Sequence, residues 1–89
     1  MITERRQRNF MLRLRNIKKS NGVISASYEP EASGKIGMIK IDIDTGKVIE
    51  NELSDFDKDF PWHFSHAVTA LRNLAKEESV PDEKLVMWY

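Results

Sequence analysis

His63 and His66 are the two histidines of this 89-residue chain, and they stand three residues apart. On a helix that spacing can bring two imidazoles toward one metal ion, with Asp57 and Asp59 upstream as oxygen donors. A helical wheel weakens the idea. It sets His63 at the flank of the apolar stripe and His66 about 140° from the stripe's centre, so the rings do not converge. Asp55-Phe56-Asp57-Lys58-Asp59 begins like a calcium loop, which needs glycine at its sixth position and glutamate at its twelfth. Those positions hold Phe60 and His66. Asp42-Ile43-Asp44-Thr45-Gly46 has its glycine one place early and reads as a hairpin turn. Gly34-Lys35-Ile36-Gly37 is too short for a phosphate loop and lacks the lysine–hydroxyl ending. Ser65 and His66 are neighbours, but no third group in the pattern would orient them for nucleophilic catalysis. Tyr28 and Tyr89 read as packing residues. The expectation is a non-enzymatic chain with no catalytic residue, metal site or cofactor.

Two other groups of residues could make contacts. Residues 1–20 hold seven bases (Arg5, Arg6, Arg8, Arg13, Arg15, Lys18 and Lys19) against Glu4, a net charge of +6. The remaining residues sum to −6, because the whole chain is neutral, and residues 42–59 alone carry −5. Arginines neutralise phosphates, so the basic segment is a candidate anion or nucleic-acid contact. It equally suits the acidic segment of its own fold or of a second copy. In the second group, Trp62 falls on the helix face opposite the apolar stripe, with His66, Thr69 and Asn73 beneath it. A large aromatic among polar groups is typical of a contact surface. If the helix instead began near Ser65, Trp62 would fold back over the core.

These residues need a scaffold, and the alternation of apolar side chains supplies one. Phe10, Leu12 and Leu14 share one face of a strand, with Met11, Arg13 and Arg15 on the other. Ser20-Asn21-Gly22 is the first turn. A two-residue Asn-Gly loop would set Leu14 opposite Glu29. A three-residue loop, with Gly22 left-handed and Lys19 opposite Val23, sets Leu14 opposite Tyr28 and Asn16 opposite Ala26, among the leucines. The hydrophobic pattern favours the second. After a loop over residues 29–34, Ile39, Ile41 and Ile43 alternate with Lys40 and Asp42. A three-residue turn at Asp44-Thr45-Gly46 would pair Ile41 with Ile49 and Lys40 with Glu50. Phe60, Phe64, Ala67, Val68, Leu71, Leu74 and Ala75 form one stripe within about 120° of arc, which predicts a helix over 60–78, capped by Asp57 or Asp59 and closed before Pro81. Lys84–Tyr89 reads as a last strand.

The predicted architecture is a single two-layer α+β domain over residues 1–89. An antiparallel sheet of about five strands, in chain order β-β-β-β-α-β, packs on one long C-terminal helix. Residues 1–8 form a frayed or short helical lead-in. The expected core is Leu12, Leu14, Ile24, Ile39, Ile41, Ile49, Phe64, Val68, Leu71 and Leu74. The chain has no cysteine, so disulfides and thiolate zinc are excluded. No segment approaches the roughly 20 apolar residues of a membrane span, and a soluble cytoplasmic protein is expected. So small a domain has limited buried surface, and Val86-Met87-Trp88-Tyr89 carries large apolar groups on both strand faces. A homodimeric interaction module that uses Trp88 and this terminus is the leading expectation. Single-stranded nucleic-acid binding through the arginines is the alternative.

Overall fold

The computed structural model describes residues 10–58 and 61–88, with the backbone alone at Phe10 and Trp88. The lead-in, with Arg5, Arg6 and Arg8, lies outside the described residues, as do Asp59, Phe60 and Tyr89. The strands are β1 (Phe10–Ser20), β2 (Val23–Pro30), β3 (Gly37–Asp42), β4 (Val48–Glu52) and β5 (Lys84–Trp88). A 3-10 turn at Asp55–Asp57 and helix α1 (Trp62–Leu74) separate the last two. All pairings are antiparallel, and the sheet order is β4-β3-β2-β1-β5. The predicted two-layer α+β arrangement is the observed one. No described helix is long and apolar enough to cross a membrane.

The order makes β4 and β5 the two edges, so the connection from residue 53 to residue 83, which holds α1, must cross the whole sheet. The helix has 13 residues, about 20 Å of length. It begins beside Tyr28 and Glu31 at the end of β2 and reaches the β3–β4 turn through Arg72 near its own end. It packs on β1, β2, β3 and β5. Ala67, Val68, Leu71, Leu74 and Ala75 meet Leu12, Leu14, Ile17, Ile24, Ala26, Tyr28, Ile39 and Ile41 in one core. Past Ala75 the stripe positions fall on Glu78 and Ser79, which have nothing to bury. The last turn tightens through Lys76 N–H to Asn73 O and Glu77 N–H to Leu74 O, and the helix stops four residues earlier than predicted.

The first hairpin corrects the predicted turn while keeping its register. Ser20 pairs with Val23 across a two-residue loop, with Asn21 at φ 54° and Gly22 at φ 78°. Two successive left-handed residues match the twist of the strands, and Asn-Gly is the pair best suited to them. Leu14 still faces Tyr28, because β1 gains one residue in a bulge between Arg15 and Lys18. Asn16 takes the left-handed place at φ 54° and is exposed rather than lying with the leucines, while Ile17 turns into the core. Asparagine tolerates that conformation better than most residues, which places the bulge there.

The second hairpin also differs. Lys40 pairs with Glu50 as expected, but Ile41 pairs with Val48. The loop is four residues long, closed by Asp42 N–H to Lys47 O and Gly46 N–H to Asp42 O. The Asp42 carboxylate accepts the Asp44 and Thr45 N–H groups, a local bond that lengthens the turn. Ile49 becomes the bulge residue and is 53% exposed instead of buried. Phe64 is half-buried, tilted against Tyr28 with ring centroids 6.0 Å apart. The other eight expected core residues are buried.

Candidate functional site

Two places in this scaffold hold side chains that could act: the rim of the sheet and a buried polar junction beneath the start of α1. At the rim the two edges have opposite chemistry. On β4, Glu50, Asn51 and Glu52 are exposed, and Glu50 meets Lys40 at 3.0 Å. On β5, Leu85 is 44% and Met87 50% exposed. Both lie on the open face of the sheet, since they pair with Arg13 and Met11 while Val86 pairs with the buried Leu12. Met11 exchanges backbone and side-chain bonds with Glu31 on the β2 side. Ladder alternation then directs Leu12 toward β5, and the N–H and C=O groups of Leu85 and Met87 away from β1.

The junction is built from Tyr28, Glu31, Ser54, Asp57 and His63. His63, on the first turn of α1, is 5% exposed, and Asp57 and Ser54 are fully buried. The imidazole Nδ1 lies 3.1 Å from Asp57 Oδ1, and Nε2 lies 2.8 Å from Glu31 Oε2. Asp57 Oδ2 accepts the Phe64 N–H at 2.6 Å and the Tyr28 hydroxyl at 3.3 Å. That hydroxyl accepts the Ser54 N–H at 3.0 Å. Asp57 thus satisfies a free N–H of the helix start from outside the helix, as the sequence suggested. The Phe56 ring stands edge-on to His63 at 5.3 Å. Gly37 makes room for this arrangement. A Cβ there would sit 2.6 Å from Ser54 N and 2.7 Å from Glu52 O and would overlap the Tyr28 ring.

Burial pushes the Tyr28 phenol up to about 12, with the Asp57 charge and the bond to it adding to the rise and the Ser54 N–H opposing it. Glu31 reaches His63 because the chain after β2 turns through two left-handed residues, Glu31 at φ 53° and Ala32 at φ 58°. Such conformations cost of order 1–3 kcal/mol each for residues with a Cβ. The Glu31 N–H bond to Met11 O, the return bond from Met11 N–H to Glu31 Oε2, and Ser33 N–H to Pro30 O hold them. The imidazole stands between its two carboxylates rather than beside them on a common centre. Among the described residues no group of three or more His, Cys, Asp or Glu could hold a metal ion.

The residues singled out from sequence fall in three separate places. Trp62 is 60% exposed on the first turn of α1, and the helix includes it instead of starting near Ser65. His66, Thr69 and Asn73 are exposed on the same helix. Thr69 and Asn73 line a groove of about 380 Å³ with Arg72, Lys76 and the β3–β4 turn, where Arg72 Nε donates to Gly46 O at 2.7 Å. Trp88 belongs to β5, away from the helix layer's outer face. Arg13 and Arg15 share the open sheet face, and Arg15 meets Glu29 at 3.1 Å. Lys18 and Lys19 are exposed, with Lys19 Nζ donating to Glu77 O beyond the helix end. The Glu31–His63–Asp57 chain went unseen in the sequence, where 32 residues separate Glu31 from His63. The one available signal was His63 at the stripe's flank, six residues after Asp57. Comparison with known protein families, curated proteins and solved structures finds no match for this chain.

Proposed function

We propose that this chain is a self-associating interaction module without catalytic chemistry of its own, and that two copies join β5 to β5 across a two-fold axis. The observation that carries the reading is the apolar β5 edge, with Leu85 and Met87 exposed and their backbone groups directed outward. Exposed apolar edges are usually blunted by charge, proline or a bulge. β5 has only Lys84 at its start.

The strand is suited to pairing with itself. With the axis at Val86, Leu85 stands opposite the partner's Met87, and Met87 opposite the partner's Leu85. Both pairs use outward-directed backbone groups, and the side chains join the Met11 side of the open face into one apolar strip. Self-pairing is closed and isologous, which ends at a dimer. A β4–β4 contact would bring Glu50 and Glu52 toward the same residues of the copy, and like charges directly opposite are destabilising. The nucleic-acid reading has less support. Arg15 is engaged by Glu29, and Ser25, Ser27 and Met38, described on the open face beside the arginines, offer no ring on which a base could stack.

Sedimentation equilibrium from about 1 to about 100 μM tests the proposal, a range that brackets micromolar association. A dimeric mass that reverts to monomer in Met87→Lys supports it. A monomeric mass throughout overturns it, and a dimer unchanged by Met87→Lys removes β5 as the interface.

A further inference from the structure

Helix α1 covers one face of the sheet. On the other face the charges do not balance in place. Arg13 stands between Glu29 of β2 and Leu85 of β5 in the strand register. A base directly opposite an acid would ordinarily pair with it. Glu29 is engaged elsewhere: its Oε1 meets Arg15 at 3.1 Å, and its Oε2 accepts the Gly34 N–H at 2.7 Å. Only 13% of the Glu29 side chain is exposed, and both of its oxygens are committed. The half-buried Arg13 guanidinium therefore has no ion pair or hydrogen bond among the described residues.

A hollow of about 170 Å³ opens at this point, lined on the open face by Met11, Arg13, Arg15, Glu29 and Leu85. Pockets that enclose a whole small ligand run to about 300–1,000 Å³, so this hollow seats one group and not an entire molecule. Two residues along the strands from the Arg13–Leu85 pair, Met11 and Met87 are paired on the same face. Together with Leu85 they make an apolar strip that leads out of the hollow.

We propose that this corner of the open face binds an aliphatic monocarboxylate, with the carboxylate seated on Arg13 and the alkyl chain lying over Leu85, Met11 and Met87. The charges call for a single negative charge. Arg15 is already met by Glu29, and the Glu29 carboxylate repels a dianion such as phosphate. One guanidinium and one carboxylate match as a two-bond fork. The strip calls for a flexible chain. It is built from methionine and leucine, and methionine adapts to irregular apolar partners. An alkyl chain there covers the two large side chains that β5 leaves exposed. The seat is complete within one copy, so it goes beyond self-association and does not depend on it.

Methyl and arginine side-chain NMR spectra of the full chain, titrated with octanoate to about 10 mM, test the site, a range that covers millimolar binding. Octanoate should shift the Arg13 Nε–H and the Met11, Leu85 and Met87 methyl signals on one saturable curve. 1-Octanol has the same chain without the charge. It should bind about tenfold or more weakly, the scale of a charge-assisted hydrogen bond. Acetate has the head without the chain, and should lose about fourfold for each methylene that the strip buries. Arg13→Gln should bring octanoate down to the affinity of octanol and leave octanol itself unchanged. Equal binding of octanoate and octanol to the unsubstituted protein would overturn the proposal. So would octanoate binding that ignores Arg13→Gln, or an octanol affinity that falls with it. Inorganic phosphate that shifts Arg13 more tightly than octanoate would show a seat for anions alone, and the proposal would fall, as it would with no saturable shift at Leu85 and Met87.

Discussion

The two edges of the sheet solve the same problem in opposite ways. β4 is short and exposed, carries Glu50 and Glu52, and is interrupted by the bulge at Ile49. Each of these features discourages a neighbouring strand. β5 has the same length, with no described bulge and with exposed Leu85 and Met87. The difference lies in side-chain chemistry and the bulge rather than in topology, since both are antiparallel outer strands of one sheet. An edge strand is a hazard when its pairing is indiscriminate and an interface when it pairs with a defined partner. On that view β4 is closed to association and β5 is open to it, so an individual substitution should affect one edge and spare the other.

The largest effect should come from removing what both edges share. Asp57→Ala removes the buried carboxylate that meets His63 and accepts the Phe64 N–H at the start of α1. Leaving a buried polar group unsatisfied costs about 1–3 kcal/mol. Urea denaturation should show a loss of that size, and a loss under about 1 kcal/mol would mean that the junction does not anchor α1. Alkaline pH attacks the same scaffold through Tyr28. Its phenol titrates near 10.0 when unfolded and at about 12 in the fold. A raised folded value stabilises the neutral form, so this contribution is complete below pH 10 and is lost as pH rises from about 10 to about 12. Stability measured across that interval should fall in the unsubstituted protein, with a smaller tyrosine contribution in Tyr28→Phe.

Smaller substitutions separate the edges. Met87→Lys should weaken self-association by about 10- to 100-fold, the scale of one unfavourable charge in an apolar contact, and leave the monomer's stability within about 0.5 kcal/mol. Ile49→Lys introduces the same charge on the other edge at an equally exposed isoleucine and should leave the sedimentation mass unchanged. The smallest effect is expected from Glu50→Ala. Its bridge to Lys40 is exposed on both sides, and such pairs contribute at most about 1 kcal/mol. A measurable gain in association on removing Glu50 would show β4 to be held closed by charge.

Much of this architecture was legible because it follows from local pattern. Leu12, Leu14, Ile24 and Tyr28 must share a face, so their register could be read even though the turn between them was misread. Register answers to the sum of turn and bulge, and the alternation fixes only that sum. Asn16 could have flagged the missing bulge, since asparagine in mid-strand is a candidate for left-handed backbone. The exposure of Ile49 had no such signal, because a bulge three residues past Gly46 reverses its face without altering the composition. The helix stripe was clear, and its early end follows from Glu78 and Ser79 having no apolar partner. The buried junction was beyond local reading. Glu31 reads as a loop carboxylate, Asp57 as a cap and His63 as a flank. Only sheet order and the crossing of α1 bring them within hydrogen-bonding distance. The edge character of β5 was legible in composition as Val86-Met87-Trp88-Tyr89, but its partner β1 and the outward faces of Leu85 and Met87 depended on strand order.

An isotope-filtered NOE experiment on a mixed sample tests the interface most directly. One half of the sample is labelled with carbon-13 at Met and Leu methyl groups, and the other half is unlabelled. At a concentration where dimer is present, β5–β5 pairing predicts intermolecular contacts from the Met87 methyl to the partner's Leu85 and from Leu85 to the partner's Met87. Contacts are not expected at Ile49 or Val48. Intermolecular signals confined to β4 or to the Trp62 face of α1 would contradict the account, as would a dimer with none at Leu85 and Met87.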